Sequence, residues 1–93
     1  MNERPPRPLP GTDLIERGLV DLAGGIESIP ALLVSIGAPR LSRIGIEVPR
    51  PLLDAEHRLY DLLRQEDSDA AHSRYNALIR RLVSFERAAE CVR

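Results

Sequence analysis

Apolar residues recur along this chain at intervals of three and four, the spacing of one face of an α-helix. The first predicted helix, over about 13–23, places on its inner face Ile15, Leu19, Leu22 and Ile26. Thr12 or Asp13 is the expected N-cap, because their side-chain oxygens can accept a bond from a free backbone N–H. Gly24-Gly25 is the expected stop, since glycine adopts the left-handed conformation at a helix end with little cost.

Two short helices separated by glycine are predicted next. Ser28 is expected to begin the first of them, which puts Pro30 in a first turn where its missing N–H does no harm. Gly37 should end it, and a shorter helix should follow over 39–44. Residues 46–51 contain two prolines and are predicted to be extended. The apolar residues of this region are expected to complete the core, with an exposed groove as the alternative: Leu41, Ile44, Ile46, Val48, Leu52 and Leu53.

The last two predicted helices cover about 55–66 and 70–90, with Asp54 and one of Ser68 or Asp69 as N-caps. The inner stripe of the first is Ala55, Leu59, Leu62 and Leu63. Because a short acidic turn joins two helices with matching stripes, they are predicted to form an antiparallel hairpin. The predicted fold is therefore an all-α bundle of four to five helices in one domain over 12–93. A proline- and arginine-rich arm over 1–11 should precede it and be flexible.

The longest helix carries more apolar surface than one packing layer requires. A heptad seam runs through Ala71, Tyr75, Leu78, Leu82, Phe85, Ala89 and Val92. Ile79 and Val83 lie beside it, about 80° and 120° around the helix from Ala71. The turns that carry Phe85, Ala89 and Val92 extend beyond the preceding helix and are expected to lack cover from it. We therefore predict an interaction surface made of Tyr75, Ile79, Leu82, Phe85, Ala89 and Val92.

Composition narrows the class of protein further. The chain has 93 residues, three aromatic side chains and a formal net charge of −1, so no strong overall field favours nucleic acid or an anionic membrane. All 13 basic residues are arginine, which we interpret as a high-GC coding bias. One cysteine, Cys91, excludes an internal disulfide. The first ten residues lack the apolar stretch of a signal peptide and no apolar run is long enough to span a bilayer, so a cytoplasmic location without membrane contact is expected.

Both histidines fall in a repeated pattern, Asp-Ala-x-His-x-x-Tyr, that begins at Asp54 and again at Asp69. Aspartate and histidine three residues apart share a helix face, so a metal or acid–base site is one interpretation. In the predicted hairpin, however, His57 and His72 would lie about 13 Å or more apart, too far for one ion. We expect ordinary first-turn residues here, with no bound metal or cofactor. No nucleophile elbow or phosphate-binding loop is present in the sequence, and an enzyme is not expected.

Two functional classes remain. The first is a small protein-interaction module, such as an adaptor, a regulatory subunit or an antitoxin-like protein, that forms a homodimer or binds another protein through the apolar face of the last helix. The alternative is a nucleic-acid-binding regulator that uses Arg74, Arg80, Arg81 and Arg87 of that helix. The seven-residue spacing within these arginines equally suits ion pairs that flank a helix–helix seam, so the protein-interaction module is favoured.

Overall fold

A computed structural model describes residues 9–92, which form five α-helices and no strand. The helices are α1 (Thr12–Ala23), α2 (Ile29–Ile36), α3 (Ala38–Arg43), α4 (Ala55–Glu66) and α5 (Ala71–Cys91). The predicted all-helical bundle is confirmed, and the helix ends lie within about one residue of their predicted positions. Most of the predicted arm, residues 1–8, lies outside the described residues. Leu9, at the end of that arm, packs against the core.

The short helix α2 lies at the centre of the bundle. Its residues from Ala31 to Ser35 are all buried. Helices α1 and α4 make its most extensive contacts, and α3 and α5 also reach it. An all-round apolar sequence such as that of α2 is stable only where every face is covered, which explains its position.

Helix α1 approaches α2 very closely at Gly18. A Cβ at this position would overlap the carbonyl group of Pro30 and lie 2.8 Å from Cγ1 of Val34. Glycine is therefore required here by the close contact of the two backbones. The sequence pattern did not single out this residue.

Ser28 and Ser35, near the two ends of α2, form hydrogen bonds that join this helix to neighbouring parts of the chain. Ser28 caps α2 by accepting a bond from the Ala31 N–H, and its hydroxyl donates to Oδ2 of Asp21 at 2.6 Å. The predicted start of this helix near Ser28 is confirmed, and the Ser28 hydroxyl also ties α1 to α2. The buried Ser35 hydroxyl donates to the Ala31 carbonyl and accepts from the N–H of Leu52, both at 2.9 Å. This second bond fixes the segment before α4 against α2.

The apolar residues over 41–53, at the end of α3 and in the segment that follows it, complete the core with one exception, as favoured from the sequence. Leu41 is fully buried, and four further side chains pack partly against the core: Ile44, Ile46, Val48 and Leu52. Leu53 differs, since 82% of it is exposed. It lies between Arg50 and Asp54, two non-glycine residues with positive φ angles of 44° and 54°.

Helices α4 and α5 form the predicted antiparallel hairpin. Near the turn, Nη1 of Arg74 donates to Oε1 of Glu66 at 2.8 Å. Farther from the turn, the rings of Tyr60 and Tyr75 lie 5.6 Å apart between centroids. Both contacts lie within the first five residues of α5, so α4 packs over the beginning of α5.

Two predicted N-caps are wrong, and a third, Asp54, occupies its predicted position without a side-chain capping bond. The N-cap of α1 is Gly11, in the left-handed conformation, while the Thr12 hydroxyl donates backwards to the carbonyl of Leu9. Asp54 precedes α4 but forms no capping bond, because its left-handed backbone differs from the extended one that normally aims a cap at the helix. At α5, the turn is instead closed by Asp67, whose Oδ1 accepts from the N–H groups of Asp69 and Ala70.

The expectation that the far turns of α5 lack cover is wrong for Phe85 and Ala89. They are only 6% and 7% exposed in the single chain. The chain at the start of α1 supplies the cover, since a Cβ on Gly11 would lie 3.7 Å from the Cβ of Phe85. Val92 is 69% exposed and lies outside this covered region.

We expect Gly18→Ala to lower the free energy of unfolding by about 1–3 kcal/mol, because its methyl group would force α1 away from α2. Gly24→Ala is the matched control, since a methyl group at this position would lie 3.6 Å from its nearest neighbour and the φ angle of −89° suits alanine. This control should be neutral or up to about 1 kcal/mol stabilising. Urea denaturation of the two variants measures the difference. Equal stability of both would contradict close packing at Gly18.

Candidate functional site

An open groove of about 380 Å³ lies between α3 and α5 and reaches the first turn of α4. We call it the α3–α5 groove. Its apolar lining consists of Ile36, Pro39, Tyr75, Ile79, Leu82 and Val83. Its polar lining consists of Arg40, Arg43, Glu56, Asn76 and Glu86.

The groove exists because α5 has two apolar faces. One face is buried in the core and carries Ala71, Leu82, Phe85 and Ala89. Tyr75, Ile79 and Val83 follow one another at intervals of four on an adjacent face and are half-buried. Helix α3 has only six residues, about 9 Å of helix, and so leaves this second face partly open.

Arg40 links α3 to α5 at one end of the groove. Its Nε donates to Oε2 of Glu90 at 2.8 Å and its Nη2 donates to Oε1 of the same carboxylate at 2.9 Å. Nη1 also donates to Oε1 of Glu86 at 3.3 Å. The paired bonds to Glu90 match the planar fork of a guanidinium to a carboxylate and fix the position of α3 on α5.

The two glutamates of this cluster have opposite pKa shifts. Burial raises the pKa of Glu86, and the nearby charge of Arg40 offsets this effect only in part. The hydrogen bond from Arg40 lowers the pKa of Glu90. The difference follows from solvent access, because the Glu86 side chain is 4% exposed and that of Glu90 is 42% exposed.

Gly37 allows α3 to begin directly against α5. A Cβ at this position would lie 2.9 Å from both Oε2 of Glu86 and Cδ1 of Leu82. The sequence identified Gly37 as a helix stop, but its contact with α5 was missed. No local signal could have revealed it, since the contact joins residues far apart in the chain.

Aromatic and acidic residues form the opposite end of the groove. Tyr75 lies beside Glu56, from the first turn of α4, and packs against Tyr60. Burial raises the pKa of Tyr75, and the negative charge of Glu56 raises it further. Both effects keep the phenol neutral, so at physiological pH it offers an apolar ring and a hydroxyl group.

Each end of the groove carries an exposed charge without an ion pair among residues 9–92. At the α4 end this charge is Glu56, and at the α3 end it is Arg43. Arg43 lies close enough to act electrostatically on Glu86 and Glu90. The centre of the groove is therefore apolar. We call the end at Glu56 the acidic end and the end at Arg43 the basic end, where Arg40 and Arg43 lie beside the carboxylates of Glu86 and Glu90.

The predicted interaction residues separate into three locations. Tyr75, Ile79 and Leu82 line the groove together. Phe85 and Ala89 are buried in the core instead, and Val92 is exposed near the end of α5. The sequence pattern had placed Val83 beside the seam but not in the predicted surface, and it did not identify Arg43 or Glu56.

The four arginines of the alternative nucleic-acid interpretation also differ in their surroundings. Arg74 pairs with Glu66 at 2.8 Å, and Arg81 lies 3.7 Å from Oδ1 of Asp13. Arg80 and Arg87 are exposed, and neither forms an ion pair with a residue between 9 and 92. Two of the four positive charges are therefore compensated within the chain.

Each histidine contacts a residue of its own helix. Nε2 of His57 lies 3.2 Å from Oδ2 of Asp61, and Nε2 of His72 lies 3.3 Å from the side-chain amide of Asn76. Across the described part of the chain, no group of three or more histidine, cysteine, aspartate or glutamate residues is placed to hold a metal ion. The geometry of this region therefore gives no basis for assigning a metal ligand set.

Comparisons with protein-family models, with curated proteins and with solved structures gave no match to this chain. Among the helices between residues 9 and 92, none has both the length and the apolar character needed to cross a bilayer.

We expect Glu86→Gln to raise the free energy of unfolding at pH 7. The raised pKa means that the folded state binds the Glu86 proton more readily than the unfolded state does. Protonated Glu86 therefore stabilises the wild-type fold fully at pH values below the ordinary glutamate pKa. This contribution to the free energy of unfolding is lost as pH rises through the pKa that Glu86 has in the folded state. The advantage of Glu86→Gln should accordingly shrink as pH falls. Thermal or urea denaturation from mildly acidic to neutral pH measures it.

Glu90→Gln is the control with the opposite sign. Its lowered pKa means that the ionised carboxylate stabilises the folded state at neutral pH, and this stabilisation is lost as pH falls through the folded-state pKa. The substitution should therefore be destabilising at pH 7 and lose its effect in acid. If Glu86→Gln and Glu90→Gln were equally destabilising at pH 7, the assignment of Glu86 as a carboxylate disfavoured by burial would be wrong.

Proposed function

We propose that this chain is a protein-interaction module, an adaptor or regulatory subunit, that binds an apolar segment of a protein partner in the α3–α5 groove. The observation that supports it is the apolar floor of Tyr75, Ile79 and Val83, left half-buried beside a helix too short to cover it. A contiguous apolar surface with a polar rim is typical of a protein-binding site.

The spacing of the floor favours a helical partner segment. Residues at intervals of four lie in a row along one side of α5, and such a row accepts side chains of a second helix packed alongside. The groove is also open along its length, which suits a polypeptide better than an enclosed small molecule. Helix-in-groove binding through a few apolar anchors is a common form of peptide recognition.

Catalysis is not part of this proposal. The one deeply buried carboxylate of the groove, Glu86, is bonded to Arg40. Tyr75 is held in its neutral form by burial and by Glu56, which together raise its pKa. Within the described part of the chain, these groups do not form a nucleophile and base within hydrogen-bond distance, the arrangement that covalent catalysis requires.

A second candidate function is nucleic-acid binding by the exposed arginines of α5. Arg80 and Arg87 support it, since they lie seven residues apart on one side of the helix and lack ion pairs among residues 9–92. Glu86 and Glu90 on the same helix weaken it, although Arg40 compensates part of their charge. Two phosphate contacts would give weak, strongly salt-dependent binding.

A photo-cross-linking amino acid placed at the groove should trap a protein partner. We expect benzoylphenylalanine in place of Asn76, at the groove wall, to give a discrete protein adduct in the source cell. The same group in place of Ser84, exposed on another side of α5, should give none. Ile79→Asp should abolish the Asn76-position adduct by placing a charge on the apolar floor. No adduct, or equal adducts from both positions, would contradict binding in the groove.

Titration with nucleic acid separates the two candidate functions. Under the protein-interaction proposal we expect no mobility shift with DNA or RNA at physiological salt. A shift that weakens with rising salt and disappears in Arg80→Glu with Arg87→Glu, but survives in the control Arg50→Glu outside α5, would favour nucleic-acid binding instead.

A further inference from the structure

The two ends of the α3–α5 groove are complementary to each other. Glu56 lies beside Tyr75 at one end, and Arg43 lies near Glu86 at the other. Tyr75 and Glu86 are 11 residues apart on α5, so these ends are separated by about 16 Å along the helix. Glu56 and Arg43 are both exposed and lack ion pairs among residues 9–92, so each is free to pair with another molecule.

A two-fold axis placed at the middle of the groove exchanges these ends. The midpoint of α5 between Tyr75 and Arg87 is residue 81, which lies between Ile79 and Val83. Rotation about an axis there, perpendicular to the helix, brings the acidic end of one chain over the basic end of another. It also places Ile79 of each chain against Val83 of the other.

We infer that the partner bound in the α3–α5 groove is a second copy of this chain, in an antiparallel, two-fold arrangement of the α5 helices. This inference rests on the proposed function and identifies its partner. A two-fold interface must be complementary to itself, and a groove with one unpaired acid, an apolar centre and one unpaired base among the described residues meets that condition.

Charges beside the groove agree with the same arrangement. Arg87, on the exposed side of α5, is related by the axis to Tyr75, so Arg87 of the second copy lies near Glu56 of the first. The acidic end thus faces Arg43 and Arg87 of the second copy, together with the Glu86 and Glu90 carboxylates that Arg40 of that copy pairs. The formal net charge of −1 per chain adds little repulsion between copies.

The interface is expected to be weak. Ion pairs at an exposed rim add little affinity, so most of it comes from the apolar floor. A short apolar row leaves little surplus over the entropic cost of association, so we expect a dissociation constant on the order of micromolar or weaker. The charges at its ends chiefly determine which partner and which orientation are accepted.

Charge reversal and mixing test this inference. Sedimentation equilibrium should show a dimer of the wild-type chain that Ile79→Asp abolishes. Glu56→Arg and Arg43→Glu should each weaken the dimer about tenfold or more, because like charges then face each other at both ends. An equimolar mixture of the two variants should restore the dimer, since every Arg of one chain then faces a Glu of the other. Circular dichroism checks that each variant is folded, and Arg50→Glu is the control outside the groove.

Three results would each overturn the inference: a wild-type monomer at several hundred micromolar, a dimer indifferent to Ile79→Asp, or a mixture that does not restore association. The proposed function would survive each of these results if the cross-linker at position 76 traps a protein other than this chain and the cross-linker at position 84 does not. Absence of both the dimer and that adduct would refute both proposals.

Discussion

Five consecutive residues of α2, Ala31 to Ser35, are enclosed on every side by the rest of the chain. Because α2 has only eight residues, it offers little area, and the surrounding helices must approach it closely to bury enough apolar surface. Gly18 permits this approach for α1 by leaving room for the carbonyl of Pro30. Ser28 and Ser35 supply the polar partners that such close packing would otherwise leave unsatisfied.

The groove is a consequence of this arrangement. Helices arranged around a short central helix cannot all cover a neighbour as long as α5, which has 21 residues. The start of α1 covers the turn that carries Phe85, and α4 covers the beginning of α5. Helix α3 is held against the remaining face by Arg40 and by the close contact at Gly37. What remains open is the row that includes Ile79 and Val83.

Some charged side chains of the groove are paired within the chain, whereas others are exposed to a binding partner. Arg40 and Glu90 satisfy each other, and Glu86 is buried beneath them. Glu56 and Arg43 are exposed and have no such partner among residues 9–92. A surface that combines an apolar floor with one free charge of each sign is suited to recognising an oriented polypeptide, because the charges favour one direction of binding and the floor supplies the affinity.

Periodicity and glycine placement in the sequence were sufficient to predict the five helices, the hairpin and the start of α2 near Ser28, because these depend on residues within a few turns of each other. Which chain segment covers each face was decided by the tertiary structure. The heptad pattern placed Phe85 and Tyr75 on one seam, yet the first is in the core and the second lines the groove. Arg40 pairs with residues 46 and 50 positions away, and no spacing rule predicts that contact. A residue's periodicity reports its direction from its own helix axis, whereas its neighbours depend on how the helices cross.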